Sequence, residues 1–133
     1  MNTQLSGRFG IYPWFPGDDE ALIAEADVGA FRDLLPNGKV FYCAGIEGDR
    51  LVLKYGEKVF RVSPILFREV KTVVRAVGST VRLADGSLAT VADVMWHFAR
   101  GEPMYLLILS GKKKSRRYWN SDLCDATQED PRM

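Results

Sequence analysis

Five cations within six positions, Lys112, Lys113, Lys114, Arg116 and Arg117, followed by Tyr118 and Trp119, are the residues of this chain most able to do chemistry. Read as a strand, the run places Lys112, Lys114, Arg116 and Tyr118 on one side and Lys113, Ser115, Arg117 and Trp119 on the other. Charge on both faces cannot be sandwiched between two layers. Three readings follow: an edge strand whose lysines discourage unwanted pairing, a cationic ribbon for an acidic protein, or a ribbon for a phosphate backbone. The near-neutral whole-chain charge, +1, and the lack of aromatics interleaved among the cations weigh against the phosphate backbone.

A second candidate is aromatic. Tyr12, Trp14 and Phe15 sit among Pro13 and Pro16, which stiffen the backbone and hold it extended. Such rings serve either as a plug over a core or as anchors for a partner, and Tyr12 and Trp14 are carried forward as candidate contact residues beside Tyr118. The chemistry of catalysis finds less support. His97 is the only histidine, which excludes histidine-rich metal centres, and Asp93 lies four strand residues from it, roughly 13 Å along an extended chain. Cys43 has no identifiable activating neighbour. Asp18 and Asp19 read as helix caps, and Gly86 and Gly111 as turn formers. No catalytic, cofactor or metal site is predicted.

The elements that must position these residues change character near Gly38. Residues 1–10 are small or polar and predict a flexible start. Asp18 to Ala26 can form a short helix, and Asp27 caps a further turn or two through Leu35, with Val28, Phe31, Leu34 and Leu35 on one buried face and Pro36 and Gly38 as the stop. Beyond Gly38, Lys39 to Ile46, Leu51 to Tyr55 and Lys58 to Val62 read as strands joined by Glu47-Gly48-Asp49 and Gly56-Glu57. Ser63 to Phe67 suits one tight helical turn, with Arg68 to Val74 extended. In the second half, Thr80 to Leu83, a primed turn at Asp85-Gly86, Leu88 to Phe98, Met104 to Leu109 and Lys112 to Trp119 repeat the plan. Simple alternation along Leu88 to Phe98 puts Leu88, Ala92, Val94, Trp96 and Phe98 on one face, with Trp96 in the core, and Ala89, Val91, Asp93, Met95 and His97 on the other, with His97 outside.

The second half, residues 78 to 124, resembles an SH3-like barrel, through the hairpin Val81-Arg82-Leu83-Ala84-Asp85-Gly86 with Thr90 to Val94 and the closing one-turn helix. Strand, glycine turn, strand and helical turn recur between Leu51 to Phe67 and Leu106 to Leu123, which suggests an internal repeat. The fold expected is therefore mostly β: two small SH3-like antiparallel meanders or barrels sharing a core, with a short N-terminal helical segment. In domain terms this gives an aromatic and helical segment over 1–36, a first meander over 37–75, a second barrel over 76–125 and a flexible tail over 126–133. The whole chain also resembles an uncharacterised family of small bacterial proteins, through Tyr12 to Pro16, Leu34-Leu35-Pro36 to Phe41, and Trp96-His97-Phe98 with Gly111 to Tyr118.

Composition sets outer limits. At 133 residues, 47% hydrophobic and 26% charged, the chain matches a globular protein with one ordinary core. Its longest apolar run, Met104 to Leu109, is too short to span a bilayer, and no signal-peptide pattern precedes it, so a cytoplasmic protein with no membrane role is expected. Two widely separated cysteines, Cys43 and Cys124, then predict free thiols. By subtraction, the expected function is a non-catalytic protein-binding module, such as a bacterial immunity-type protein that neutralises a toxin or effector by direct binding. The alternative is a nucleic-acid-binding SH3-like barrel.

Overall fold

Two-residue connections set the register of the first half. In the computed structural model, which describes residues 5–125, β2 (Val40–Glu47) turns through Gly48 (φ 64°) into β3 (Arg50–Tyr55), which turns through Gly56 (φ 64°) into β4 (Lys58–Val62). Positive φ at the first loop residue suits glycine and matches the twist of the flanking strands. The first strand, β1 (Phe9–Ile11), pairs antiparallel with β2 on one side and with the short β5 (Arg68–Glu69) on the other. The N-terminal segment is thus part of the first sheet, and Phe9 to Ile11 are ordered by pairing on both edges. Residues 1–4 of the predicted flexible start and the tail over 126–133 lie outside the described residues.

The second half contains β6 (Thr80–Leu83), β7 (Leu88–His97), β8 (Glu102–Leu109), β9 (Lys112–Lys113) and β10 (Leu123–Asp125). Its sheet order, β10-β6-β7-β8-β9, repeats that of the first, β5-β1-β2-β3-β4. In each, a meander is closed by a last strand that returns beside the first. A one-turn 3-10 helix precedes that last strand in both cases, Pro64–Leu66 and Asn120–Asp122. The sequence repeat is therefore a topological one, although its register differs by one residue from the sequence match. Cys43 pairs with Leu53 and Val91 with Leu107 just before a bulge in each second strand, which aligns Leu53 with Leu107 and Gly56 with Ser110.

That bulge overturns the simple alternation along β7. Register shifts between Val91 and Asp93, so Ala89 and Val91 are buried before it and Val94 after it. An extra residue reverses which side faces the core. Trp96 is half-buried, while Phe98 falls outside the strand in the turn to β8 and is 61% exposed. At Asp85-Gly86 the connection is three residues long with only Gly86 left-handed (φ 89°), rather than a primed two-residue turn. Pro103 lies within β8 opposite Trp96, beyond the reach of the short β9, where its missing donor is tolerated.

Between β1 and β2 the chain makes 3-10 turns at Glu20–Leu22 and Glu25–Asp27 and one helix, α1 (Val28–Leu34). Asp19 caps the first turn by accepting from the Ala21 N–H. Asp27 precedes α1 but spends its carboxylate on the Arg61 N–H, 2.8 Å away, instead of capping the helix. Phe31 is buried, with Val28 and Leu34 packed beside it, whereas Leu35 ends the helix in a left-handed conformation (φ 57°) and points outward.

The apolar interior forms two connected clusters. Tyr12, Trp14, Phe31, Phe41 and Phe60 pack ring against ring in the first, with centroids 4.9 to 6.4 Å apart. Ile11 and Val40, from strands of the first sheet, enter the second cluster with Val81, Val91, Val94, Tyr105 and Leu107. Val77 packs against both. Backbone contacts tie the sheets together as well: Lys39 bridges Met95, and the Trp96 N–H donates to the Gly38 carbonyl at 2.8 Å.

Candidate functional site

The cationic run lies at the outer edge of the second sheet, but it is not a continuous strand. Only Lys112 and Lys113 ladder against β8, after a turn in which Ser110 (φ 52°) and Gly111 (φ 78°) are both left-handed. Lys114 adds one bond, its N–H donating to the Leu107 carbonyl, and Tyr118 then rejoins β8 through paired bonds with Tyr105. Ser115, Arg116 and Arg117 loop away from the sheet between these points. Three residues separate Lys114 from Tyr118, whereas the aligned positions of the first half, Phe60 and Val62, are separated by Arg61 alone. The surplus cannot be accommodated in register and is extruded into solvent.

The candidate contact residues divide accordingly. Lys112, Lys113, Lys114, Arg116 and Arg117 are exposed. Tyr118 is buried against the second core, with the Arg116 guanidinium over its ring at 4.8 Å. Tyr12 and Trp14 are 0% exposed and plug the first core, so they are not presented to a partner. The Tyr12 hydroxyl donates to the Ser63 carbonyl at 2.7 Å, and the Trp14 indole N–H donates to the Asp19 carbonyl at 3.1 Å. Burial pushes the Tyr12 phenol far above its usual range, with Arg50 only partly opposing it. Phe15, by contrast, is 52% exposed.

Lys113 differs from its neighbours because it is engaged internally. Its ammonium pairs with Asp93, whose other oxygen accepts from the Tyr55 hydroxyl at 2.7 Å. The same hydroxyl accepts from the buried Val94 N–H at 3.1 Å, and Lys39 lies over the Tyr55 ring at 5.9 Å. Desolvation would raise the Asp93 carboxyl. The hydrogen bonds from Lys113 and Tyr55 and the charges of Lys113 and Lys39 outweigh it and hold the carboxyl below its usual range. Burial, then the hydrogen bond and charge of Asp93, push the Tyr55 phenol far upward. Strand alternation missed this network because it joins β7 to β3 and β9, and no local pattern shows which strands lie beside one another.

Beside the loop, Trp119 is stacked by the Arg100 guanidinium, 3.7 Å from the ring centroid, and met edge-on by His97 at 5.5 Å. The His97 Nδ1 accepts from the Arg100 N–H at 3.0 Å, closing the β7–β8 turn. His97 therefore has an architectural position rather than a carboxylate partner. Cys43 is buried, and burial pushes its thiol upward, partly opposed by a backbone hydrogen bond with Gly45. Cys124 is exposed, and both thiols are free. Among the described residues, no three His, Cys, Asp or Glu side chains converge on a metal-sized site.

Cavities offer little alternative. A cleft of about 80 Å³ lies between the halves near Phe9, Val40, Tyr55 and Val77, too small for a nucleotide. A wider open groove of about 410 Å³ runs beside α1 and β4, lined by Ala30, Asp33, Leu34, Lys58, Val59 and Phe60. Among the described residues, no helix is long and apolar enough to cross a membrane. No curated protein and no solved structure matches the chain. Its sequence is matched over residues 1–124 by one family, and the protein therefore belongs to a family of unknown function (DUF6960).

Proposed function

We propose that this protein is a non-catalytic binding module whose cationic loop, Lys112 to Arg117, engages an acidic surface of a protein partner. The observation that carries this reading is the extrusion of the loop: Lys112, Lys114, Arg116 and Arg117 are exposed on one sheet edge, and none is ion-paired to a described residue. Like charges held together without counter-charges repel, and an acidic partner relieves that repulsion while speeding encounter. The specific form we propose is inhibition by occlusion, as in bacterial immunity proteins that act on a toxin or effector within the cytoplasm. The rival reading, nucleic-acid binding, draws on the same cations. It is less favoured because Tyr118 is buried and Trp119 is flanked by Arg100 and His97, which leaves no open pair of ring faces for bases.

The test is affinity capture from lysate, nuclease-treated and untreated, comparing wild type with a Lys114→Glu/Arg117→Glu variant. Lys113 is left intact because its reversal would set two carboxylates against each other at Asp93. A stoichiometric protein that survives nuclease and is lost by the folded variant is the expected result. Equal capture by both forms would remove the loop from the interface, and retention of nucleic acid alone would favour the rival.

A further inference from the structure

The topological repeat gives the cationic edge a counterpart in the first half. Aligning the halves by ladder register matches Leu51 with Tyr105 and Leu53 with Leu107, and hence the β4 residues Phe60 and Val62 with Lys114 and Tyr118. In the first half the outer edge of β4 is already occupied, by the chain's own segment 20–27. Ile23 bridges Val62 antiparallel, the Ala24 N–H donates to the Arg61 carbonyl at 2.9 Å, and the Ser63 N–H donates to the Leu22 carbonyl at 2.6 Å. The Asp27 carboxylate accepts from the Arg61 N–H and lies 3.8 Å from its guanidinium.

That covering segment is acidic around an aliphatic anchor. Glu20, Glu25 and Asp27 surround Ile23, which is buried, and Glu20 pairs with Arg32 at 2.7 Å. The Arg50 guanidinium donates to the carbonyls of Leu22 and Ala21. In the second half the corresponding edge carries Lys114, Arg116 and Arg117. Among the described residues, no backbone hydrogen bond is made by Ser115, Arg116 or Arg117.

We propose that the edge from Lys114 to Tyr118 is a docking site for an acidic, extended segment of a protein partner, which adds to the second sheet as residues 20–27 add to the first. This rests on the acidic-partner reading and supplies its geometry. A carboxylate takes the Arg117 N–H and guanidinium as Asp27 takes those of Arg61, and a partner N–H donates to the Arg117 carbonyl as Ala24 does to Arg61. One difference sets the character of the interaction. The Trp119 N–H, counterpart of the Ser63 donor, is held by the Asp122 carboxylate at 2.8 Å, so fewer backbone bonds are available and charge carries more of the binding.

The probe is a synthetic peptide with the sequence of residues 18–27 and blocked ends, added to the ¹⁵N-labelled full chain at low salt. Controls are the same peptide with each Asp and Glu replaced by Asn and Gln, and polyglutamate. Expected are saturable shifts of the amides of residues 114–119 with Kd below about 1 mM, slowed exchange of the Arg117 amide, and at least about tenfold weakening with the neutral peptide or with the Lys114→Glu/Arg117→Glu variant. Absence of saturable binding, or shifts confined to residues 50–62, would overturn the proposal. Polyglutamate binding equally well with the Arg117 amide unprotected would also overturn edge addition. The acidic-partner reading stands or falls separately, on the capture comparison above.

Discussion

Replacing Tyr55 with Phe removes one oxygen atom that joins the two halves. The hydroxyl donates to Asp93 at 2.7 Å and accepts from the Val94 N–H at 3.1 Å, in a side chain only 6% exposed. Deleting it leaves the Val94 N–H buried without that partner, about 1–3 kcal/mol, and removes a charge-assisted bond, about 1.5–3 kcal/mol. Asp93 keeps Lys113 and is 15% exposed, so relaxation and water recover part of each loss and the lower ends apply. The expected destabilisation is about 2.5 kcal/mol. With about 2.1 cal/mol/K of unfolding entropy per residue, 133 residues give about 0.28 kcal/mol/K and a fall in Tm of about 9 °C. Urea denaturation at unchanged m-value and calorimetry measure both quantities. A double-mutant cycle with Asp93→Asn should return a coupling of about 1 kcal/mol. A loss below about 0.7 kcal/mol, or zero coupling, would refute the view that this hydroxyl links the halves rather than merely filling space.

Other consequences are equally direct. Because the folded Asp93 carboxyl is held below its ordinary value, its contribution is complete above the unfolded value near about 3.9 and is lost as pH falls through the depressed folded value. Acid titration of stability should therefore be steeper below about pH 4 for wild type than for Asp93→Asn, and parallel curves would contradict the assignment. A Cβ at Gly10 would collide with the Phe67 ring and stand 2.6 Å from the Arg68 carbonyl oxygen, so Gly10→Ala should destabilise by at least about 2 kcal/mol in the same urea assay. Since Cys43 is buried and Cys124 exposed, a thiol reagent should label one cysteine promptly in the native protein and both after unfolding. Prompt labelling of both would show that the first core opens readily.

Local order left clear marks in the sequence. Glycine at the first loop position and alternating apolar residues specify β3 and β4 because turn geometry and pleat act over a few residues. β4 and β6 occur at Lys58–Val62 and Thr80–Leu83, the spans that the pattern predicts. The cationic run was legible as an edge for the same reason: charge on both faces forbids burial. What the pattern could not show were events that depend on a partner strand. Ala89 and Val91 face the core and Leu88 does not, against simple alternation, because a single bulge, set by pairing with β8, reverses the phase of β7 ahead of Asp93, while Val94 and Trp96 keep the predicted side. Lys112 to Trp119 breaks after Lys113 because its length exceeds what β8 can match between Leu107 and Tyr105.

The aromatic segment divides along the same line. Sequence alone determined that Tyr12 and Trp14 are rigid, bulky and extended, since prolines act locally. Whether they plug or protrude was decided by α1, which brings Phe31 against both rings and closes the first core over them. Likewise the sequence determined two similar meanders, because each follows from short-range periodicity. Only the tertiary structure decided that the first meander's edge is covered by an acidic segment of the same chain and that the second meets solvent as a cationic loop. That difference arises from contacts between residues distant in sequence, which no local pattern encodes.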